Sequence, residues 1–315
     1  MRVDLKRGIE VRIAAWRAAT CLAAVLLTAG LCAQPQPAAG NRVVLVITAD
    51  ANDYILAAGG AIAAMIEDGA TAYLIRTTND EKESWELSPE ETARRYSEES
   101  EQAARILGIQ EVISLGYRAG ELAAVSHTEL RDRLMFYVRH YKPAVLFLPN
   151  PYAEYVEVLD RFYTGKAAEE AQRVAALENV QPPFSAVGLA PHIVGELYYY
   201  AQPFDPRRRE PESTTTFVPQ PKTVSISKTF EKKLRAAQAL YTGNYSMAMR
   251  IKERLDGTSR RLPLLDTVNR ESVDQLVEIN VRKLAEIAAR DTAHELAEEF
   301  HYAGVEYQIP SSYLK

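Results

Sequence analysis

Cysteine is almost absent from this 315-residue chain: there are two, Cys21 and Cys32, and both fall within the first 33 residues. The rest of the chain offers no thiol for a disulfide, a nucleophile or a zinc ligand, so any metal site would need His, Asp or Glu. Histidine is also scarce. His127, His140, His192, His294 and His301 make up the full set, and no two stand in the His-x-x-x-His spacing of a helical metal site. No Gly-x-Gly-x-x-Gly follows a strand, which removes the dinucleotide fingerprint, and no Gly-x-Ser-x-Gly elbow supports serine hydrolysis. Excess positive charge is missing too. The formal net charge is −5 and no basic stripe stands out, so a nucleic-acid partner is not expected.

The one long apolar run, residues 18–32, follows a basic stretch containing Arg2, Lys6, Arg7, Arg12 and Arg17 and precedes Ala33 and "QPQPAAG". Its length of roughly 15 residues is short of the roughly 20 a spanning helix needs. The layout predicts a secretory signal peptide over 1–33, cleaved after Ala33, and a linker over 34–42. The large Leu31 ahead of Cys32 argues against a lipoprotein signal. Export to the periplasm or the exterior is the expectation, with membrane contact only through an uncleaved leader. Without its basic leader the chain is more acidic still.

Beyond the leader, β-branched runs alternate with helical patterns, as in βαβ units with a mostly parallel sheet. "VVLVIT" at 43–48 is apolar on both faces, as a central parallel strand is. Gly59-Gly60 reads as a turn opening the helix "AIAAMIEDG". "TAYLIRTT", "EVISLGY" and "AVLFLP" are further strands. Ser88-Pro89-Glu90-Glu91 is a capped helix start, Ser126 a second cap, and "KAAEEAQRVAAL" a helix after the fourth strand. "HIVGELYYY" is strand-like. From Thr229 onward the chain reads as predominantly helical, with Leu276, Ile279, Leu284 and Ile287 as a packing stripe. The expected fold is a doubly wound α/β domain over 43–228, with a helical flank over 229–315 on the same domain.

In an open parallel sheet ligands collect beyond the carboxyl ends of the strands. "ADAND", "TNDEKES" and "NPYAEYVEVLD" leave three such ends and should meet in one crevice. With the longer landmarks "VVLVITADANDYILAAGGAIA", "RTTNDEKESWELSPEET", "EQAARILGIQEVISLGYRAGEL", "YKPAVLFLPNPYAEY" and the closing "LAEEF", the chain resembles the PIG-L/LmbE family of zinc-dependent deacetylases of N-acetylglucosamine-type sugars.

The resemblance implies Ala-His-Pro-Asp-Asp after the first strand and an Asp-His pair after the fourth. The first His, the second Asp and the later His would hold zinc, and the first Asp would be the general base. Here Asp50 stands for the first His, Ala51 for the Pro, Asn52 for the base and Arg161, after Asp160, for the later His; Asp53 alone keeps a ligand position. A further family His aligns near Leu240. An amide cannot serve as base near neutral pH, and a guanidinium cannot ligate a metal. No cofactor is therefore expected, although the family uses zinc. Asp50 and Asp53 facing Arg161 would form an ion pair in the place and charge of the metal.

The remaining readings stay side by side. Asp50, Asn52 and Asp53 also suit an Asx-rich helix cap. Asp160, Asn79, Asp80, Tyr152, Tyr155 and His192 are candidate substrate contacts, and Trp85 and Tyr163 could join the tyrosines against a sugar ring or simply anchor loops. The expected ligand is an acetylated amino sugar or glycan bound by a catalytically degenerate homologue. An active amide hydrolase with Asp50, Asp53 and Asp160 or Glu157 around a hard cation is the alternative, and a structural envelope protein is a third.

Overall fold

The computed structural model describes residues 42–152, 158–202, 220–290 and 292–304. The expected leader, Tyr155 and Glu157 lie outside the described residues. Seven strands form one sheet: β1 (Val43–Thr48), β2 (Thr71–Thr78), β3 (Glu111–Tyr117), β4 (Val145–Pro149), β5 (Glu196–Tyr200), β6 (Gln220–Ser225) and β7 (Ala297–Ala303). Their order across the sheet is β3-β2-β1-β4-β5-β7-β6. The first five pair in parallel, whereas β7 runs antiparallel to both β5 and β6. This is the expected doubly wound α/β sheet, extended by an antiparallel edge that the helical reading of the C-terminal segment missed.

The helices are α1 (Asp53–Glu67), α2 (Pro89–Leu107), α3 (His127–Tyr141), α4 (Leu159–Ala175), α5 (Pro182–Ala186), α6 (Phe230–Ala239), α7 (Tyr241–Asp256) and α8 (Arg270–Ala289). Strand side chains alternate between two cores. Val44, Val46, Leu74 and Phe147 pack with α1, α2, α6 and α8 on one face. Leu45, Ile47, Ile75 and Leu146 pack with α3 and α4 on the other. Among the described residues, no helix is long and apolar enough to cross a membrane.

Local chemistry explains several boundaries. The Ser88 side chain accepts from the Glu91 amide, Pro89 opens α2, and Gly108 closes it in the left-handed region at φ 94°. Ser126, by contrast, makes no side-chain cap to α3. The stripe of α8 is also displaced from the expected one: Val273, Val277, Val281 and Leu284 are buried, while Ile279 is 60% exposed.

Gly59 and Gly60 do not form a turn; they lie inside α1, which begins at Asp53. A Cβ on Gly60 would stand 2.6 Å from Ile226 Cγ2, so this helix face must be bare for the chain ahead of α6 to lie against it. The polar pattern around the glycines is equally specific. Glu298 of β7 accepts from the amides of Gly60 (2.9 Å) and Ala61 (2.8 Å). Lys233 of α6 donates to Glu298 (2.7 Å) and to the Leu56 carbonyl (2.7 Å), the acceptor that the Gly60 amide has in a regular helix. Both charged side chains are essentially inaccessible. A buried ion pair is thus inserted into the hydrogen-bond ladder of α1, and Thr229 donates to the Gly60 carbonyl at 2.8 Å beside it.

Candidate functional site

The strand order reverses between β1 and β4, and a doubly wound sheet opens its crevice at such a point. The turn after β1 supplies Asp50, α1 begins with Asp53, and α4, which follows β4, brings Arg161 on its first turn. α4 can approach because Gly165 sits against the end of β4: a Cβ there would be 2.4 Å from the Pro149 carbonyl oxygen.

Asp50 caps α1. Its Oδ1 accepts from the amides of Asn52 (3.1 Å) and Asp53 (2.8 Å), the Asx turn weighed from the sequence. Arg161 reaches the same carboxylate through Nε to Oδ2 (2.8 Å) and Nη2 to Oδ1 (3.3 Å), and its Nη1 lies 3.2 Å from Asp53 Oδ1. All three distances fall within bonding range, so one guanidinium bridges the two aspartates. Gln202, just past β5, donates to Asp53 Oδ1 at 3.2 Å. Asp53 Oδ2 has no hydrogen-bond partner among the described residues. Burial pushes the Asp53 carboxyl up to about 6, with Arg161 pulling it down and Asp50 pushing it up. Asn52, at the N-cap of α1, makes no side-chain cap and is only partly buried.

The other candidates divide. Asp160, on the same first turn, accepts from the amides of Gly120 and Leu122 (3.1 Å for the latter) and holds the loop after β3. Asn79 is likewise a loop brace, with its Oδ1 accepting from the amides of Glu81 (3.3 Å) and Ala119 (3.2 Å). Asp80 is buried 3.1 Å from Arg76 Nη1, in a turn at φ 55°, and its carboxyl is held well above the usual range, chiefly by burial. Tyr152 is 41% exposed beyond β4 and donates to Glu169. His192 is a correction. It precedes β5 and donates from Nε2 to the Pro143 carbonyl (2.8 Å), at the amino ends of the strands and away from the crevice. Tyr163 packs into the α3–α4 core. Leu240, where a further family histidine aligns, is buried between α6 and α7.

Two groups escaped the sequence reading. Gln202 could have been found as a polar residue at the carboxyl end of a strand. Glu83 lies in the loop after β2, where the fields of Asp50, Arg161 and Arg250 act on it; burial pushes its carboxyl up to about 7. Among the described residues that carboxylate has no hydrogen bond or ion pair. Two residues on, the Trp85 amide donates to Ser246 Oγ (3.0 Å), and the Arg250 guanidinium lies 4.8 Å from the Trp85 ring centroid, yet Trp85 stays 64% exposed. Among the described residues, no group of three or more His, Cys, Asp or Glu is arranged to hold a metal ion.

Comparison with known proteins agrees with this architecture. The family model for GlcNAc-PI de-N-acetylase, PIG-L, matches residues 45–171. A diacetylchitobiose deacetylase of Thermococcus kodakarensis is 28% identical over 165 residues, covering 50% of this chain and 60% of the relative. Among solved structures, the N,N'-diacetylchitobiose deacetylase of Pyrococcus horikoshii, complexed with an inhibitor, aligns over 87% of this chain and 88% of its own, with a TM-score of 0.65 at 21% identity. The 4-carboxy-2-hydroxymuconate hydratase of Pseudomonas putida aligns over 84% and 96%, with a TM-score of 0.56 at 18% identity, so the same fold also carries a different reaction. Residues 45–171 thus match the PIG-L family, and the chain shares the fold of the diacetylchitobiose deacetylase structure.

Proposed function

We propose that this protein is an exported deacetylase homologue that no longer hydrolyses and that binds an amino sugar or glycan in the crevice. The observation that carries the reading is the bridge from Arg161 to Asp50 and Asp53. The residues present do not fit the zinc ion of the family. Both oxygens of Asp50 are taken by donors, the guanidinium supplies positive charge where the metal would, and only Asp53 Oδ2 is left without a donor. A dication brought there would meet a fixed like charge. Asn52, at the position of the family base, is an amide and cannot take a proton from water near neutral pH. The sugar part of the reading is supported by the relatives that carry diacetylchitobiose deacetylase in their names and by the exposed aromatics Trp85 and Tyr152 on crevice loops.

Metal analysis of the purified mature protein, followed by an N-acetylglucosamine deacetylation assay with and without added zinc, tests this. We expect no stoichiometric metal and no chelator-sensitive turnover; either one overturns the reading. The combined change Asp50→His, Asn52→Asp and Arg161→His is expected to restore zinc binding by removing the guanidinium and returning the ligand set. Export is checked by cell fractionation and by sequencing the mature N-terminus, expected to begin just after Ala33.

A further inference from the structure

We infer that residues 305–315 cover an exposed apolar surface at the amino ends of the parallel strands, with Val305, Tyr307 and Ile309 set against Val187 and Ile193. The surface lies at the end of the sheet opposite the crevice, so the inference is independent of what the crevice binds.

Residues 179–195, which lead from α4 to β5, contain no Asp, Glu, Lys or Arg in a chain where these make up 25% of residues. Within them Val187 and Ile193 are each 75% exposed, and Pro183, Ala186 and Ala190 are exposed as well. Helix contacts widen the patch. Phe184 of α5 meets the exposed Phe136 of α3 edge to face at 6.0 Å, and the His192 amide donates to the Ala175 carbonyl (3.0 Å), two residues ahead of the exposed Leu177. Among the described residues, four of the eight exposed large apolar side chains therefore lie in this one region. Scattered apolar residues need no explanation, whereas a concentrated patch marks a surface that something covers.

Topology indicates the occupant. β7 runs antiparallel to β5, so it finishes where β5 starts, with Ala303 paired to Leu197. The chain thus leaves β7 at Gly304 on the same end of the sheet as the apolar loop. Carrying the register on by two and by four positions sets Val305 opposite Gly195 and Tyr307 opposite Ile193. The sequence suits that continuation. "VEYQI" at 305–309 alternates apolar and polar residues, the period of a strand with one covered side, and Pro310 closes the run. In the continued strand the odd positions fall on the side of Ala303, which packs in the core built with α3 and α4, and Phe184 rests on that same core. Charge agrees as well. The segment carries only Glu306 and Lys315 as ionic side chains, and a loop without ionic groups of its own offers a highly charged partner nothing to pair with.

Amide hydrogen exchange of the mature protein, followed by mass spectrometry, tests the inference, with a synthetic peptide of residues 305–315 as the unprotected reference. Amides of 305–309 are expected to exchange at least about tenfold more slowly in the protein than in the peptide. Val187→Ser/Ile193→Ser alters two exposed positions outside the sheet cores, and is expected to remove that protection while rates in β1 and β4 stay unchanged. Tyr307→Ser/Ile309→Ser is expected to speed exchange at 186–194 in return, a reciprocity that simple fraying of either segment does not produce. Rates at 305–309 equal to those of the peptide, or protection that survives Val187→Ser/Ile193→Ser, overturn the inference. Protection that is lost on dilution, together with a dimer in light scattering, assigns the surface to a second copy of the chain and overturns it too.

Discussion

Replacing Arg161 with methionine keeps most of the apolar stem and withdraws the guanidinium shared by Asp50 and Asp53. Those side chains are 7% and 0% exposed. Removing one partner from a buried pair costs about 3–5 kcal/mol, because the other charge is left uncompensated. At about 2–4 °C per kcal/mol for a domain of this size, the midpoint should fall by about 10 °C near neutral pH. The pH dependence makes the prediction specific. The folded Asp53 carboxyl stands at about 6, above its unfolded value of about 3.9. The native state therefore holds more protons between those two values, and stability is lost as pH rises through that window. By pH 7 the wild-type cost from this group is about 3 kcal/mol. Arg161 lowers the Asp53 value, so its removal moves the upper edge of the window above 6. The variant should gain more on acidification than the wild type. Urea unfolding at pH 5.0, 6.0 and 7.5, followed by circular dichroism, reads the difference directly. A destabilisation of the same size at all three pH values would refute the account of Asp53.

Other perturbations separate further parts of the argument. Lys233→Met strands the Glu298 carboxylate inside the core and is expected to cost about 3–5 kcal/mol in urea unfolding, with Lys233→Met/Glu298→Gln recovering part of that loss in a double-mutant cycle. Gly60→Ala should destabilise by about 1–3 kcal/mol against Ile226, whereas Gly59→Ala, whose Cβ meets nothing nearer than 3.6 Å, should be neutral or stabilising by up to about 1 kcal/mol; thermal melts compare the two. Asp160→Asn weakens two amide contacts to the loop after β3 and should cost about 1–2 kcal/mol, with faster hydrogen exchange at Gly120 and Leu122.

Particular residues show how far sequence reading reaches. The apolar run of β1 and the Ser88-Pro89 helix start announce themselves locally, because both faces of a central strand and the first turn of a helix follow from the residues in place. The Asp50 and Arg161 pairing was also legible, since a carboxylate and a guanidinium had entered one expected site together. The helical state of Gly59 and Gly60 was not legible, because its causes, Ile226 and Glu298, are distant in the chain. β7 was hidden for a related reason: "AEEFHYA" has the charged residues of a surface helix, and only the buried ion pair of Glu298 with Lys233 explains an acid facing inward from a strand. His192 and Asp160 carried promising side chains, but backbone groups satisfy them. Glu83 gave no signal in a loop rich in acids; its isolation is a three-dimensional property.

The ion pair set into the middle of α1 also governs how this protein can be dissected. A chain cut ahead of Thr229 would lose Lys233 and Glu298 together, reopening the Gly60 and Ala61 amides and the Leu56 carbonyl in the helix that begins with Asp53. Such a fragment would not be a smaller version of the same molecule, and its failure to bind a sugar would say nothing about the crevice of the whole chain. The tail is better interrogated by single exchanges on its solvent side, such as Ile279, than by deletion.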